Sequence, residues 1–224
     1  SIMTGEFPAR LHMTIWSEAS KRPPHDRALI PPETRSDLPL AEVTFADVLS
    51  KDYFVAHIGK WHLGDASHYP EAQGFAVNIG GTHWGCPVSY FYPYKGLFGE
   101  DEEFRYVPDL ESGDEDEDAY LTDRLTDEAL RMMEKVQDKP FVLHLSYYTV
   151  HTPIEGKPEH VAHFRDKVRP EMHHQNVGYA SMVRSLDENV GRVLDKLDEL
   201  GIADQTIVFF FSDNGGYVGT YDGQ

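Results

Sequence analysis

The sequence predicts an α/β protein with a mixed, largely parallel central sheet sandwiched by helices. Three observations carry this. Three short apolar runs show little alternation, two long segments of helical period lie between them, and each run is followed directly by polar and glycine residues. With 40% apolar and 12% aromatic residues in 224, the chain has material for a packed core despite a formal net charge of −18.

The first run, Tyr53-Phe54-Val55-Ala56-His57-Ile58, is bounded by polar residues and reads as a strand buried on both faces. Residues 74–118, rich in Gly, Pro and Tyr and then in acid, have little period. They predict a long insertion within a single domain that occupies the whole chain. From Tyr120 to Val136, residues Leu121, Leu125, Ala129, Met132, Met133 and Val136 recur at helical spacing, with Thr122 or Thr126 as candidate caps. The second strand, Phe141-Val142-Leu143-His144-Leu145, is entered through Pro140. A second helix spans about Asn176 to Leu200, with Val183, Leu186, Val190, Val193, Leu194, Leu197 and Leu200 as its apolar stripe and Gly201 as its stop. Thr206-Ile207-Val208-Phe209-Phe210-Phe211 predicts the third strand.

Charge and composition narrow the function. No run of apolar residues is long enough to span a membrane, and so acidic a chain without a basic groove is repelled by nucleic acid. Between Glu100 and Asp118 eleven carboxylates face Arg105 alone, which predicts a solvated loop; the EF-hand ligand pattern and its glycine are missing. Cys86, the single cysteine, permits no disulfide within the chain and reads as a packed thiol. The first residues show neither a basic n-region nor an h-region, so no signal peptide is visible, and both ends read as cut. His57 and His144 lie inside strand runs and read as satisfied core residues. His160, His163, His173 and His174 lack rigid ligand spacing.

The informative residues follow the strands: Gly59-Lys60-Trp61-His62-Leu63-Gly64 after the first, His151-Thr152-Pro153 soon after the second, and Ser212-Asp213-Asn214-Gly215-Gly216 after the third. If the strands are parallel, Lys60, His62, His151, Asp213 and Asn214 converge at their carboxyl ends, where open α/β sheets bind ligands. Each signal alone has a plainer reading: a solvated lysine, a structural histidine, an Asp-Asn-Gly turn. Together, an ammonium, two imidazoles and a pair of hard oxygen donors suit an anionic substrate whose charge is shared with a divalent cation. Residues 80–94 carry His83, Trp84, Tyr90, Tyr92 and Tyr94, which suggest either sugar stacking or aromatic packing beneath a loop.

GKWHLG at 59–64 resembles the second signature of the formylglycine-dependent sulfatases. His151-Thr152-Pro153, Ser212-Asp213-Asn214-Gly215, Asn78-Ile79-Gly80-Gly81, Ser89-Tyr90-Phe91 and Tyr120-Leu121-Thr122-Asp123 fall in that family's order along nearly the whole chain. The resemblance implies the alkaline phosphatase-like fold, incomplete at both ends here, and hydrolysis of sulfate esters with a calcium ion and a formylglycine made from Cys or Ser. It implies that Lys60 binds a sulfate oxygen and that His62 contacts the formylglycine and assists sulfate release. It further implies that His151 binds beside the ester oxygen and protonates the departing alcohol, and that Asp213 and Asn214 are calcium ligands. The Cys/Ser-x-Pro-x-Arg nucleophile motif, expected just before Ser1, is absent, and Cys86 does not match it. An acidic pair for calcium and a lysine soon after SDNGG are absent too. The expectation is therefore an internal fragment, inactive as it stands, of a secreted or periplasmic sulfatase. The whole protein would act on a sulfated small molecule or glycan and depend on a formylglycine-maturation enzyme. The alternatives are a phosphatase or phosphodiesterase on the same scaffold, and a non-catalytic, glycan-binding pseudo-sulfatase.

Overall fold

The computed structural model describes residues 1–21, 28–30, 32–99, 102–110 and 119–216. Its contacts divide them into two units: Ser1–Gly85 with Asp138–Ser146, and Cys86–Gln137 with the chain from Tyr147 onward.

The first unit opens with a four-residue helix, α1 (Ser17–Ser20), and a second short helix, α2 (Phe45–Leu49). Thr44 and Asp47 form a reciprocal capping box at the start of α2, and the Thr44 hydroxyl also donates to the Gln73 carbonyl at 2.8 Å. Strand β1 (Phe54–Gly59) follows, then β2 (Val77–Ile79). Further along the chain, β5 (Phe141–Ser146) completes a parallel sheet of order β2-β1-β5. Val55 to Gly59 are buried, as expected of a central strand covered on both faces. Val55 joins Met3, Leu11, Leu38, Ala46, Trp61 and Phe75 in this unit's core. In the β1/β5 register Phe54 stands opposite Phe141 and Gly59 opposite Ser146, so both strands end together at one edge.

In the second unit β3 (Lys95–Phe98) and β4 (Glu103–Tyr106) form an antiparallel pair. Part of the predicted acidic loop, 100–101 and 111–118, lies outside the described residues. Helix α3 (Leu121–Val136) buries the predicted stripe, including Leu121, Leu125, Ala129, Met133 and Val136. Neither Thr122 nor Thr126 caps it. The N-cap is Tyr120 without a side-chain bond, and both threonines are buried one turn apart within the helix, the Thr126 hydroxyl donating to the Thr122 carbonyl. Helix α4 (Pro158–Arg165) begins with proline at its first position, where the missing N–H goes unneeded.

Helix α5 (Val177–Glu199) starts at Asn176, whose side chain accepts from the Tyr179 N–H. Past its C-cap, Leu200, stands Gly201 at φ +68°. Its buried positions are Gly178, Ser181, Met182, Ser185, Asn189 and Leu197, whereas Val183 and Leu194 of the predicted stripe are exposed. Beside the buried Met182 and Leu197, polar contacts tie the helix to its neighbours. The Asn189 amide donates to Asp123 of α3 at 2.6 Å, Lys196 pairs with Glu134, and Ser185 bonds His160 of α4. The third predicted strand is not formed: residues 206–211 pair with no strand among the described residues, and Ile207, Phe209 and Phe210 are 79, 75 and 70% exposed. An apolar, β-branched run becomes a strand only where adjacent backbone supplies hydrogen-bond partners.

Candidate active site

GKWHLG is built at the carboxyl end of β1. Gly59 has φ +102°, and a Cβ there would stand 2.0 Å from the Ser146 carbonyl oxygen, so only glycine lets the two strand ends close up. The next residue, Lys60, donates its backbone N–H to that same oxygen at 2.7 Å. Trp61 turns inward, 4% exposed, and its indole N–H donates to the His68 carbonyl. The chain then turns through His62 at φ +56°, leaving Lys60 and His62 half-buried on either side of the anchored tryptophan. The His62 ring lies against Gly85, where a Cβ would meet Cε1 at 2.4 Å, and its Nε2 bonds a Glu18 carboxylate oxygen at 2.8 Å.

Beneath this turn, His57 Nδ1 and His144 Nδ1 are 2.9 Å apart, and His57 Nε2 lies 3.1 Å from the Gly59 carbonyl. A carbonyl only accepts, so His57 carries its proton on Nε2 and His144 donates from Nδ1. Burial, helped by the neighbouring imidazole, lowers the His57 pKa to about 3. Burial alone lowers that of His144 to about 4. Both are neutral core residues, as their place in the strand runs predicts.

In the second unit the segment after β5 is tied at several points. Thr126 bonds the Tyr147 hydroxyl at 2.7 Å, and Thr122 bonds the Thr149 hydroxyl. Burial raises the Tyr147 phenol to about 12, so it remains a neutral hydroxyl. The Tyr90 hydroxyl reaches the carbonyls of Tyr148 and His151, and the Glu155 carboxylate accepts from the Tyr90 N–H and the Ser89 hydroxyl. His151 itself is exposed, with Nδ1 3.0 Å from the Thr152 carbonyl. A carbonyl only accepts, so that contact places a proton on Nδ1.

Asp213 and Asn214 occupy an exposed turn in the same unit, where Asp213 Oδ1 accepts the Asn214 N–H at 2.9 Å and Gly215 has φ +79°. One terminal atom of the Asn214 amide faces Asp213 Oδ1 at 3.0 Å and the Gly215 carbonyl at 3.2 Å. Both partners are acceptors, so this atom is the amide nitrogen, which donates to both. The donor set fits calcium. A Cβ on Gly216 would meet the Tyr179 hydroxyl at 2.1 Å, so glycine lets this turn lie against α5.

Lys60 and His62 thus share one turn of the first unit; His151, Asp213 and Asn214 belong to the second. Sequence reasoning missed Glu18, Thr122 and Glu155 as their supports. The only hint was two threonines interrupting the α3 stripe. It also missed a cluster of Asp37, Asp65 and His68, whose ligand atoms lie within 4.8 Å of one another in the first unit. Trp84, Tyr90 and Tyr94 are buried, so they serve as aromatic packing rather than as a stacking platform.

The chain is 27% identical to YdeN of Escherichia coli (strain K12), an uncharacterized sulfatase, over 97% of this chain and 38% of that protein. It is 28% identical to human N-acetylgalactosamine-6-sulfatase, over 96% of this chain and 40% of the enzyme. Among solved structures, Ps i-CgsB in complex with k-i-k-neocarrahexaose superposes with a TM-score of 0.62 at 26% identity, covering 90% of this chain and 44% of that one. The chain therefore spans about two fifths of the length of the relatives it matches. The sulfatase family profile matches residues 1–224 throughout, and the chain belongs to the sulfatase family.

Proposed function

We propose that the whole protein is a sulfuric ester hydrolase acting on a sulfated carbohydrate, with Lys60, His62, His151, Asp213 and Asn214 serving one sulfate ester. The observation that carries this is the GKWHLG turn, which sets Lys60 and His62, both half-buried, directly after the end of the central strand. The carbohydrate assignment leans on two relatives, the galactosamine-6-sulfatase and the structure holding neocarrahexaose.

When bound, calcium would add positive charge at the sulfate oxygens, with Asp213 and Asn214 among its ligands, and a formylglycine would supply the nucleophile. Lys60 holds a nonbridging sulfate oxygen and offsets the charge that grows there as the ester bond breaks. His62, bonded to Glu18, would contact the formylglycine and assist sulfate release. His151 gives a proton from Nε2 to the departing alcohol, a poor leaving group without it. We infer that the whole protein works outside the cytoplasm, as a secreted or periplasmic enzyme; no helix among the described residues is long and apolar enough to cross a membrane.

The test is turnover of 4-nitrophenyl sulfate by the whole protein, produced with a formylglycine-maturation enzyme, beside its Lys60→Ala variant. Removing one charge-stabilising donor should lower kcat/KM by about 100-fold or more. Near-wild-type turnover by the variant, or faster cleavage of 4-nitrophenyl phosphate than of the sulfate, would overturn the proposal.

A further inference from the structure

The segment that carries His151 is held in place by a residue far away in the chain. Tyr90 is 0% exposed, and its hydroxyl lies 2.7 Å from the Tyr148 carbonyl and 3.0 Å from the His151 carbonyl. A phenol has one proton to give, so it bridges these two carbonyls as a shared donor. The same Tyr148 carbonyl accepts the His151 N–H at 2.9 Å, which closes the turn from 148 to 151. Three contacts fix Tyr90 in turn. Its backbone N–H donates to the Glu155 carboxylate at 2.7 Å, Ser89 donates to the same oxygen at 2.9 Å, and its ring stacks on Tyr120 at 5.7 Å between centroids. The Tyr120 hydroxyl donates to the Glu155 carbonyl at 2.7 Å, so the far end of the segment is gripped as well.

This hydroxyl has no other visible purpose. A buried tyrosine that only filled space could be replaced by phenylalanine without taking a donor from the His151 carbonyl. Burial also raises its pKa well above the ordinary phenol value, which keeps the proton on the oxygen at any working pH. The carbonyl it holds is that of His151 itself, one peptide plane from the imidazole. His151 Nδ1 is in turn bound to the next carbonyl, that of Thr152. The direction of Nε2 is therefore set by the backbone at 151–152, and that backbone is set from Tyr90.

We propose that Tyr90 is the positioning residue for His151, its hydroxyl holding the turn from which Nε2 delivers a proton to the leaving alcohol. The inference rests on the reading of His151 as proton donor. It adds a distinct claim: the aim of that donor is set by a residue 61 positions earlier in the chain.

The experiment compares two substrates with the whole, matured protein. The alcohol leaving from an unactivated alkyl or sugar sulfate needs a proton, whereas 4-nitrophenolate leaves readily without one. Tyr90→Phe keeps the ring and removes only the hydroxyl. It should lower kcat on the sugar sulfate about ten-fold more than on 4-nitrophenyl sulfate, with KM little moved, since a displaced general acid loses rate rather than binding. His151→Ala should show the same bias, and more strongly. Equal losses on both substrates for Tyr90→Phe, beside a biased His151→Ala, would refute the positioning role and leave the reading of His151 intact. No bias in His151→Ala would refute that reading and the inference with it. If the phenylalanine variant fails to fold, 4-aminophenylalanine introduced at position 90 restores a donor of nearly the same shape. It should react with both substrates in the wild-type ratio, and a biased loss there would overturn the proposal.

Discussion

Acidification from pH 7 to pH 5 should remove about 2 kcal/mol of stability through His57 alone, with a smaller share from His144. His57 is 0% exposed and its pKa is lowered from 6.5 to about 3 by burial and then by the neighbouring His144 imidazole. A folded pKa below the unfolded one means that the native state resists taking the proton and the unfolded chain accepts it. The stability is complete above about pH 6.5 and drains away as pH falls, at about 1.4 kcal/mol per pH unit, until the folded pKa near 3 is reached. His144 sits on the half-buried strand β5 and its pKa is lowered to about 4, so its contribution is discounted for partial access to water. Protonating His57 would also break the shared hydrogen bond, since two Nδ1–H groups would then face each other at 2.9 Å. The assay is urea unfolding at pH 7, 6 and 5 for the wild type and for His57→Gln, which keeps a donor for the Gly59 carbonyl but does not titrate. The carboxylates contribute equally to both proteins and cancel. The wild type should lose about 2 kcal/mol more than the variant between pH 7 and pH 5. Identical pH slopes would show that His57 titrates normally in the folded state, and the argument from burial would fail.

Other consequences are as direct. Gly59→Ala should destabilise the protein by about 3 kcal/mol, because the methyl group meets the Ser146 carbonyl at 2.0 Å at φ +102°; an unchanged urea midpoint would contradict this close approach. Asn189→Ala, which strips a buried donor from Asp123 and from the Ser185 carbonyl, should lower stability by about 2 kcal/mol, measured in the same way. Calcium at 100 times its Kd should stabilise the whole protein by about 2.7 kcal/mol in thermal unfolding, and Asp213→Ala should abolish most of that gain. A full calcium effect in that variant would remove Asp213 from the ligand set.

Much of the local structure was legible because it depends on spacing along the chain. The apolar run at 53–58 became β1, the run after Pro140 became β5, and the α3 stripe is buried where the helical period puts it. Gly201 ends α5 because its left-handed backbone is one that glycine adopts without strain. Period fails where a partner decides the outcome. The run at 206–211 has the composition of a strand but pairs with none among the described residues. In α5 the predicted stripe is only partly covered: Leu197 is buried while Val183 and Leu194 are exposed, and Ser181, Ser185 and Asn189 take buried positions from which Ser185 and Asn189 reach the imidazole and the acid opposite.

The same division runs through the candidate site. The sequence by itself determined the family, and it supplied the groups proposed for the site: a lysine, two histidines and an Asp-Asn pair, each after an apolar run. Only the tertiary structure decided how those groups are held. The tautomers of His57 and His144, the bond from Glu18 to His62, and the grip of Tyr90 and Glu155 on the His151 turn join residues between 44 and 87 positions apart. Such contacts leave no period in the chain, because a hydrogen bond depends on where two atoms come to rest in space and not on how many residues separate them.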